Sequence, residues 1–195
     1  SELLARSGQL DRIVAAFREK LAPYRLSKGT IRFPLTQPVP VRLIAGIARL
    51  RAAVAANGCA HAFMNAVSPG TIAVFQPNQF YPSHEAYVHA LAQAMQREYE
   101  AIVAAGFELQ IDAPDLAMGR HLAFSDLSNA EFVKIAEANV EALNHALRDI
   151  PADRMRLHLC WGNYEGPHHR DIPLREIIRV ALKAKPQGLS FEGAN

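Results

Sequence analysis

Residues 157–171 read LHLCWGNYEGPHHRD. Into this stretch Met155, Leu157 and Leu159 alternate with polar residues, the period-two pattern of a strand, so His158 and Cys160 leave one face one pleat apart. A single strand then offers an imidazole and a thiol side by side. Zn²⁺ takes that pair readily, at about 2.0–2.1 Å to nitrogen and about 2.3 Å to sulfur. The strand gives way to a polar loop broken by Gly and Pro, in which Glu165, His168, His169, Arg170 and Asp171 crowd together. Segments of this kind carry function on a scaffold.

Two other predicted strands share the pattern. Residues 107–112 set Leu109 and Ile111 against Gln110 and Asp112, and residues 188–192 set Leu189 and Phe191 against Ser190 and Glu192. Each ends on a polar pair at i and i+2. A parallel sheet covered on both faces reads as a nearly continuous apolar run, so the alternation needs a cause. A (β/α)₈ barrel supplies one: the apolar face meets the helices, and inward residues at the C-terminal strand ends line the mouth. Asp112, His158, Cys160 and Glu192 are expected to converge there.

The rest of the chain fits this plan. Apolar spacing predicts helices over 10–21, from the Pro38/Pro40 region to just before Asn57, over 83–105 with Ser83 as N-cap, from the Ser128/Glu131 capping box onward, and from Pro173 to Pro186. Strands are predicted at 29–35, 60–67, 107–112, 155–160 and 188–192, with Ser68, Pro69 and Gly70 read as a loop. Alternating strands and helices, without a linker or repeat, imply one α/β domain over 1–195 with a parallel sheet. Five strands are about five of the eight that a closed TIM-type barrel needs, so a partial barrel is expected. Either the chain is part of a longer polypeptide, or self-association or another chain closes the barrel.

Composition excludes several function classes. The 195 residues are half apolar with net charge +2, and they hold no basic run that would mark a nucleic-acid or membrane-surface binder. Two cysteines, Cys59 and Cys160, are too few for a disulfide framework and suit a reducing cytoplasm. No apolar stretch approaches the ~20 residues of a membrane span, and the start has no signal-peptide core. A cytoplasmic protein is expected.

Taken singly, these residues have plainer readings: Asp112 before Ala113 and Pro114 as a turn former, Cys160 as a small core residue, His158 as a hydrogen-bonded structural group, His168 and His169 as solvated loop residues. Their recurrence at the same end of three successive strands favours a site.

The segments GFELQIDAPDLAMG (106–119), RLHLCWGNYEGPHHRDIPL (156–174) and LSFEGAN (189–195), with MNAVSPGTIAVF (64–75) more weakly, resemble the cobalamin-independent methionine synthase family, its C-terminal catalytic barrel and shorter single-barrel relatives. The His-x-Cys strand followed by a strand ending in Glu is the specific part. The resemblance implies zinc held by His158, Cys160 and Glu192, and Asp112 binding the amino group of homocysteine. It also implies substrate contacts among Ser68, Asn163, Glu165, His168 and His169. The implied reaction moves a methyl group from 5-methyltetrahydrofolate to the zinc-bound thiol of homocysteine, giving methionine. The family's remaining zinc cysteine and its catalytic histidine, the general acid, fall beyond Asn195. Ala113 stands where the family commonly has an acidic residue. Two other readings stay open: thiol alkylation with an epoxide, as in coenzyme M relatives, and a zinc-binding piece without turnover.

Overall fold

A computed structural model describes residues 25–27, 30–32, 45–163 and 165–192. The chain divides into two compact units, Ser1–Pro40 and Val41–Asn195. In the first, β1 (Arg25–Ser27) and β2 (Thr30–Arg32) pair antiparallel, with Ser27 opposite Thr30. The helix expected at 10–21 lies outside the described residues, as does most of the strand expected at 29–35 beyond Thr30–Arg32.

The second unit runs α1 (Ala45–Ala56), β3 (Phe63–Val67), α2 (Pro69–Phe75), α3 (His84–Ala104), β4 (Glu108–Asp112), α4 (Asn129–Ala146), β5 (Met155–Leu159), α5 (Leu174–Ala181) and β6 (Gly188–Phe191). The four strands form one parallel sheet in the order β3-β4-β5-β6, each joined to its neighbour through helix. This is the α/β alternation expected from the sequence. One segment differs from its reading as a loop: Ser68, Pro69 and Gly70 start α2. Pro69 stands in the first turn, where its missing N–H costs nothing, and the Ser68 hydroxyl accepts the Thr71 N–H at 3.0 Å.

Local chemistry sets the element ends. Ser83 caps α3 by accepting from Ala86 N–H at 3.1 Å. At α4 both halves of the predicted capping box form: Ser128 Oγ accepts from Glu131 N–H, and the Glu131 carboxylate accepts from Ser128 N–H. A cap of this kind contributes about 1 kcal/mol. After α3, Gly106 takes φ +92° and donates to the Val103 carbonyl while Phe107 donates to Ile102, closing the helix and turning the chain into β4.

The helices cover one face of the sheet. Leu109, Ile111, Leu157 and Leu159 are essentially inaccessible and join Val88, Leu91, Tyr99 and Ile102 of α3, Phe132, Val140 and Leu143 of α4, and Ile177 and Val180 of α5 in a single core. Each such large side chain contributes about 1.5–3 kcal/mol relative to remaining exposed. The Tyr99 ring is buried there, and its hydroxyl donates to the Val67 carbonyl at 2.6 Å, fixing α3 to the C-terminal end of β3. Among the described residues no helix is long and apolar enough to cross a membrane.

Candidate functional site

The opposite face of the sheet is polar, and the strand register arranges it in rows. Val67, Asp112, His158 and Ser190 stand side by side across β3, β4, β5 and β6, and one pleat deeper come Asn65, Gln110, Arg156 and Gly188. Because side-chain parity repeats every two residues, Cys160 and Glu192 leave this same face just past the ends of β5 and β6. The register itself sets Asp112 and His158 side by side at the C-terminal end of this face.

Direct contacts join several of them. His158 Nδ1 lies 2.8 Å from Asp112 Oδ1, and both side chains are about one-third exposed. Asp112 Oδ1 also accepts from Gln110 Nε2 at 3.3 Å, and its Oδ2 from Asn65 Nδ2 at 3.4 Å. Behind them Arg156 Nε donates to Gln110 Oε1 at 2.5 Å, and the guanidinium carbon sits 3.6 Å from the centroid of the Phe63 ring. Cys160 Sγ accepts the Gly162 N–H at 3.2 Å, which aims the sulfur back over the loop turn. The Cys160 carbonyl accepts from Met118 N–H, and the Ala113 N–H donates to the His158 carbonyl. The turn after β4 is thereby bonded to the end of β5.

The loop after β5 is held as a unit. Trp161 packs against the core just past the end of β5 and donates its indole N–H to the Ile172 carbonyl at 2.8 Å. The neighbouring Asp171 carboxylate lies between two imidazoles, 3.1 Å from His121 Nδ1 and 2.6 Å from His168 Nδ1. His169 Nδ1 lies 3.2 Å from the Pro167 carbonyl, and Asn163, Glu165 and His169 are exposed. Ser68 is placed differently: its N–H donates to the Asp112 carbonyl, but its hydroxyl is buried against Thr71 and Asp115. Glu192 is exposed past the last ladder pair of the edge strand β6. Among the described residues no three His, Cys, Asp or Glu side chains are gathered in metal-holding geometry. A cavity of about 480 Å³ lined by Arg51, His61, Phe107, Glu108 and Arg154 opens at the other, N-terminal end of the strands, away from this constellation.

Asn65, Gln110 and Arg156 share the parity of the predicted residues, so the alternation that picks out His158 also marks them. His121 has no such signal. It sits in an irregular segment, after two short 3₁₀ turns that no periodicity announces.

Comparison with known proteins points the same way as the His-x-Cys strand. A methionine synthase from Saccharolobus solfataricus is 32% identical over 118 residues, covering 59% of this chain and 31% of that protein. Methionine synthases from Saccharolobus islandicus are 30% identical over 112 residues, covering 56% of this chain and 30% of theirs. The chain is distantly and partially similar to methionine synthases. The matched stretch spans about a third of the length of those methionine synthases. No family model matches the chain, and no solved structure does.

Proposed function

We propose that the four-stranded sheet is part of a (β/α)₈-type barrel whose polar face binds Zn²⁺ and methylates a homocysteine-like thiol, with 5-methyltetrahydrofolate as the methyl donor. The observation that carries this is the Asp112–His158 pair at 2.8 Å with Cys160 one pleat further on, all at the C-terminal ends of adjacent parallel strands. Partial similarity to methionine synthases supports it. A barrel would draw its remaining strands from outside this sheet, from further chain or a second copy.

The donor chemistry suits zinc in two respects. A metal-bound imidazole usually directs its other nitrogen to a carboxylate, as His158 directs Nδ1 to Asp112. Sulfur is a donor that zinc takes readily, and Cys160 Sγ is held at the end of β5 by the Gly162 N–H. His158 Nε2, Cys160 Sγ and the Glu192 carboxylate would hold the ion. Bound zinc would keep the acceptor thiol ionised near neutral pH. Asp112 Oδ2, which takes only the long bond from Asn65, retains lone-pair capacity for the acceptor's ammonium group. The acceptor sulfur gives up a proton and takes the methyl group, and the donor nitrogen gains a proton. His168, in the loop after β5 and paired with Asp171, would contact the substrate from the solvent side.

Zinc per chain, measured by elemental analysis after desalting, tests the reading on the wild type, His158→Ala and Cys160→Ser. Near-stoichiometric zinc in the wild type, lost from both variants, is the expected result. Full zinc retained by Cys160→Ser would sink the ligand assignment.

A further inference from the structure

The segments that follow β4 and β5 at the C-terminal end of the sheet are bonded to each other repeatedly. Nearest the strands, the Ala113 N–H donates to the His158 carbonyl and the Met118 N–H to the Cys160 carbonyl. Farther along both segments, His121 Nδ1 lies 3.1 Å from Asp171 Oδ1; an ionised carboxylate only accepts, so the imidazole donates. The other oxygen of Asp171 faces His168 Nδ1 at 2.6 Å, and the Asp171 N–H donates to the His168 carbonyl at 3.3 Å. Residues 168–171 are thus a turn braced from within. We propose that His121 and Asp171 are positioning residues: together they anchor this turn to the segment after β4, and so fix where the loop presents His168.

Burial sets this contact apart from an ordinary surface pair. The His121 and Asp171 side chains are 11% and 16% exposed, although both come from irregular segments, so they are paired while largely withdrawn from water. His168 is 42% exposed and keeps part of its ring in solvent. The neck of the loop is closed separately, by the Trp161 indole N–H on the Ile172 carbonyl. Gly162 turns the chain at the other end of the neck with φ +98°, a conformation that favours glycine. Residues 162–171 therefore form a loop with its ends held together, of the Ω type. The neck places Ile172 alone. The bond to His121, from a segment 50 residues earlier, sets the direction in which the turn leaves that neck.

What His168 touches rests on the proposed function; the anchoring does not, and the two are tested apart. Trypsin cuts after Arg170, an exposed residue inside the turn, and His121 variants leave the sequence around that bond unchanged. Limited digestion of the 195-residue chain, with fragments identified by mass spectrometry, reads the opening of the turn, and cleavage after Arg156 within β5 is the reference throughout. His121→Phe keeps a ring but no donor, and is expected to raise cleavage after Arg170 roughly 10-fold over that reference, the population effect of losing one largely buried hydrogen bond. His121→Asn, whose amide puts a donor where Nδ1 stands, is expected to stay near the wild-type rate, a rescue that ring packing does not predict. Equal acceleration at both bonds, none at Arg170, or His121→Asn behaving as His121→Phe would each overturn the proposal. The substrate arm adds L-homocysteine and Zn²⁺ to the wild type, and slower cleavage after Arg170 is expected. Unchanged cleavage there, with the His121→Phe acceleration intact, leaves the anchor standing and removes His168 from the substrate contacts.

Discussion

Asp112 and Asp115 belong to one turn, IDAPD, yet their carboxylates have opposite surroundings. Asp115 is 1% exposed and accepts from Ser68 Oγ, from Thr71 Oγ1 at 2.8 Å and from Asn139 Nδ2 at 3.0 Å, tying the first turn of α2 to the middle of α4. Asn139 is in turn 3.1 Å from His84 Nε2, so the first turn of α3 joins the same cluster. The Asp112 side chain is 31% exposed, and its partners Asn65, Gln110 and His158 all lie on the open polar face. What separates them is where the acceptor capacity goes. At Asp115 it is consumed by neutral donors inside the core, which makes the group structural. At Asp112 it is divided between a candidate ligand and solvent, which makes the group available for chemistry.

The largest effect should come from breaking the buried member. Asp115→Ala strands the donors of Ser68, Thr71 and Asn139, at about 1–3 kcal/mol for each group left unsatisfied. A loss of about 3 kcal/mol or more in urea unfolding is expected. Gly70→Ala should reach the same cluster from the other side, because a Cβ there would lie 2.0 Å from Asp115 Oδ2. A loss under about 1 kcal/mol for Asp115→Ala would mean that the two carboxylates differ less than their burial suggests.

Next in size is the exposed member. Asp112→Asn replaces the carboxylate that faces His158 Nδ1 at 2.8 Å with an amide, so the imidazole loses the partner that orients it. Zinc affinity should fall roughly 10–100-fold. Unfolding free energy should move by less than about 1 kcal/mol, as for a partly exposed site without a large packing role. Zinc binding unchanged beside a large loss of stability would make Asp112 a second structural carboxylate.

The sequence separates these two residues only in part. Period-two alternation in β4 and β5 places Asp112, His158 and Cys160 on one face, because strand parity is a local property. The long helices were legible for the same reason, with Ser83 and the Ser128–Glu131 box marking their starts. Asp115 gave no local sign. Its partners Ser68, Thr71 and Asn139 come from α2 and α4, and only the parallel packing of β3 beside β4 brings them together. Ser68 was legible as a polar residue at a strand end, but whether its hydroxyl faces a substrate or caps a helix depends on α2. The span of α2 is only seven residues, too short for apolar periodicity to announce it. The pairing of Asp171 with His121 depends likewise on two irregular segments that meet only in the fold.

The smallest effect is a pH slope, and it tests which force dominates at Asp115. Burial raises its carboxyl pKa, while the hydrogen bonds from Ser68, Thr71 and Asn139 act to lower it; burial is the larger. A carboxyl whose pKa is higher in the folded chain than in the unfolded one binds protons more tightly when folded. Its contribution to stability is then fully present below the unfolded value, about 3.9 for Asp, and is lost as pH rises through the folded value. The unfolding free energy of the wild type minus that of Asp115→Asn, measured by urea from pH 3.5 to 7, cancels the other titrating groups. That difference should decline with rising pH and level off once Asp115 is ionised in both states. A difference that grows with pH would mean that the three donors outweigh desolvation. Asp115 would then be a carboxylate held ionised by its partners, and only exposure would distinguish it from Asp112.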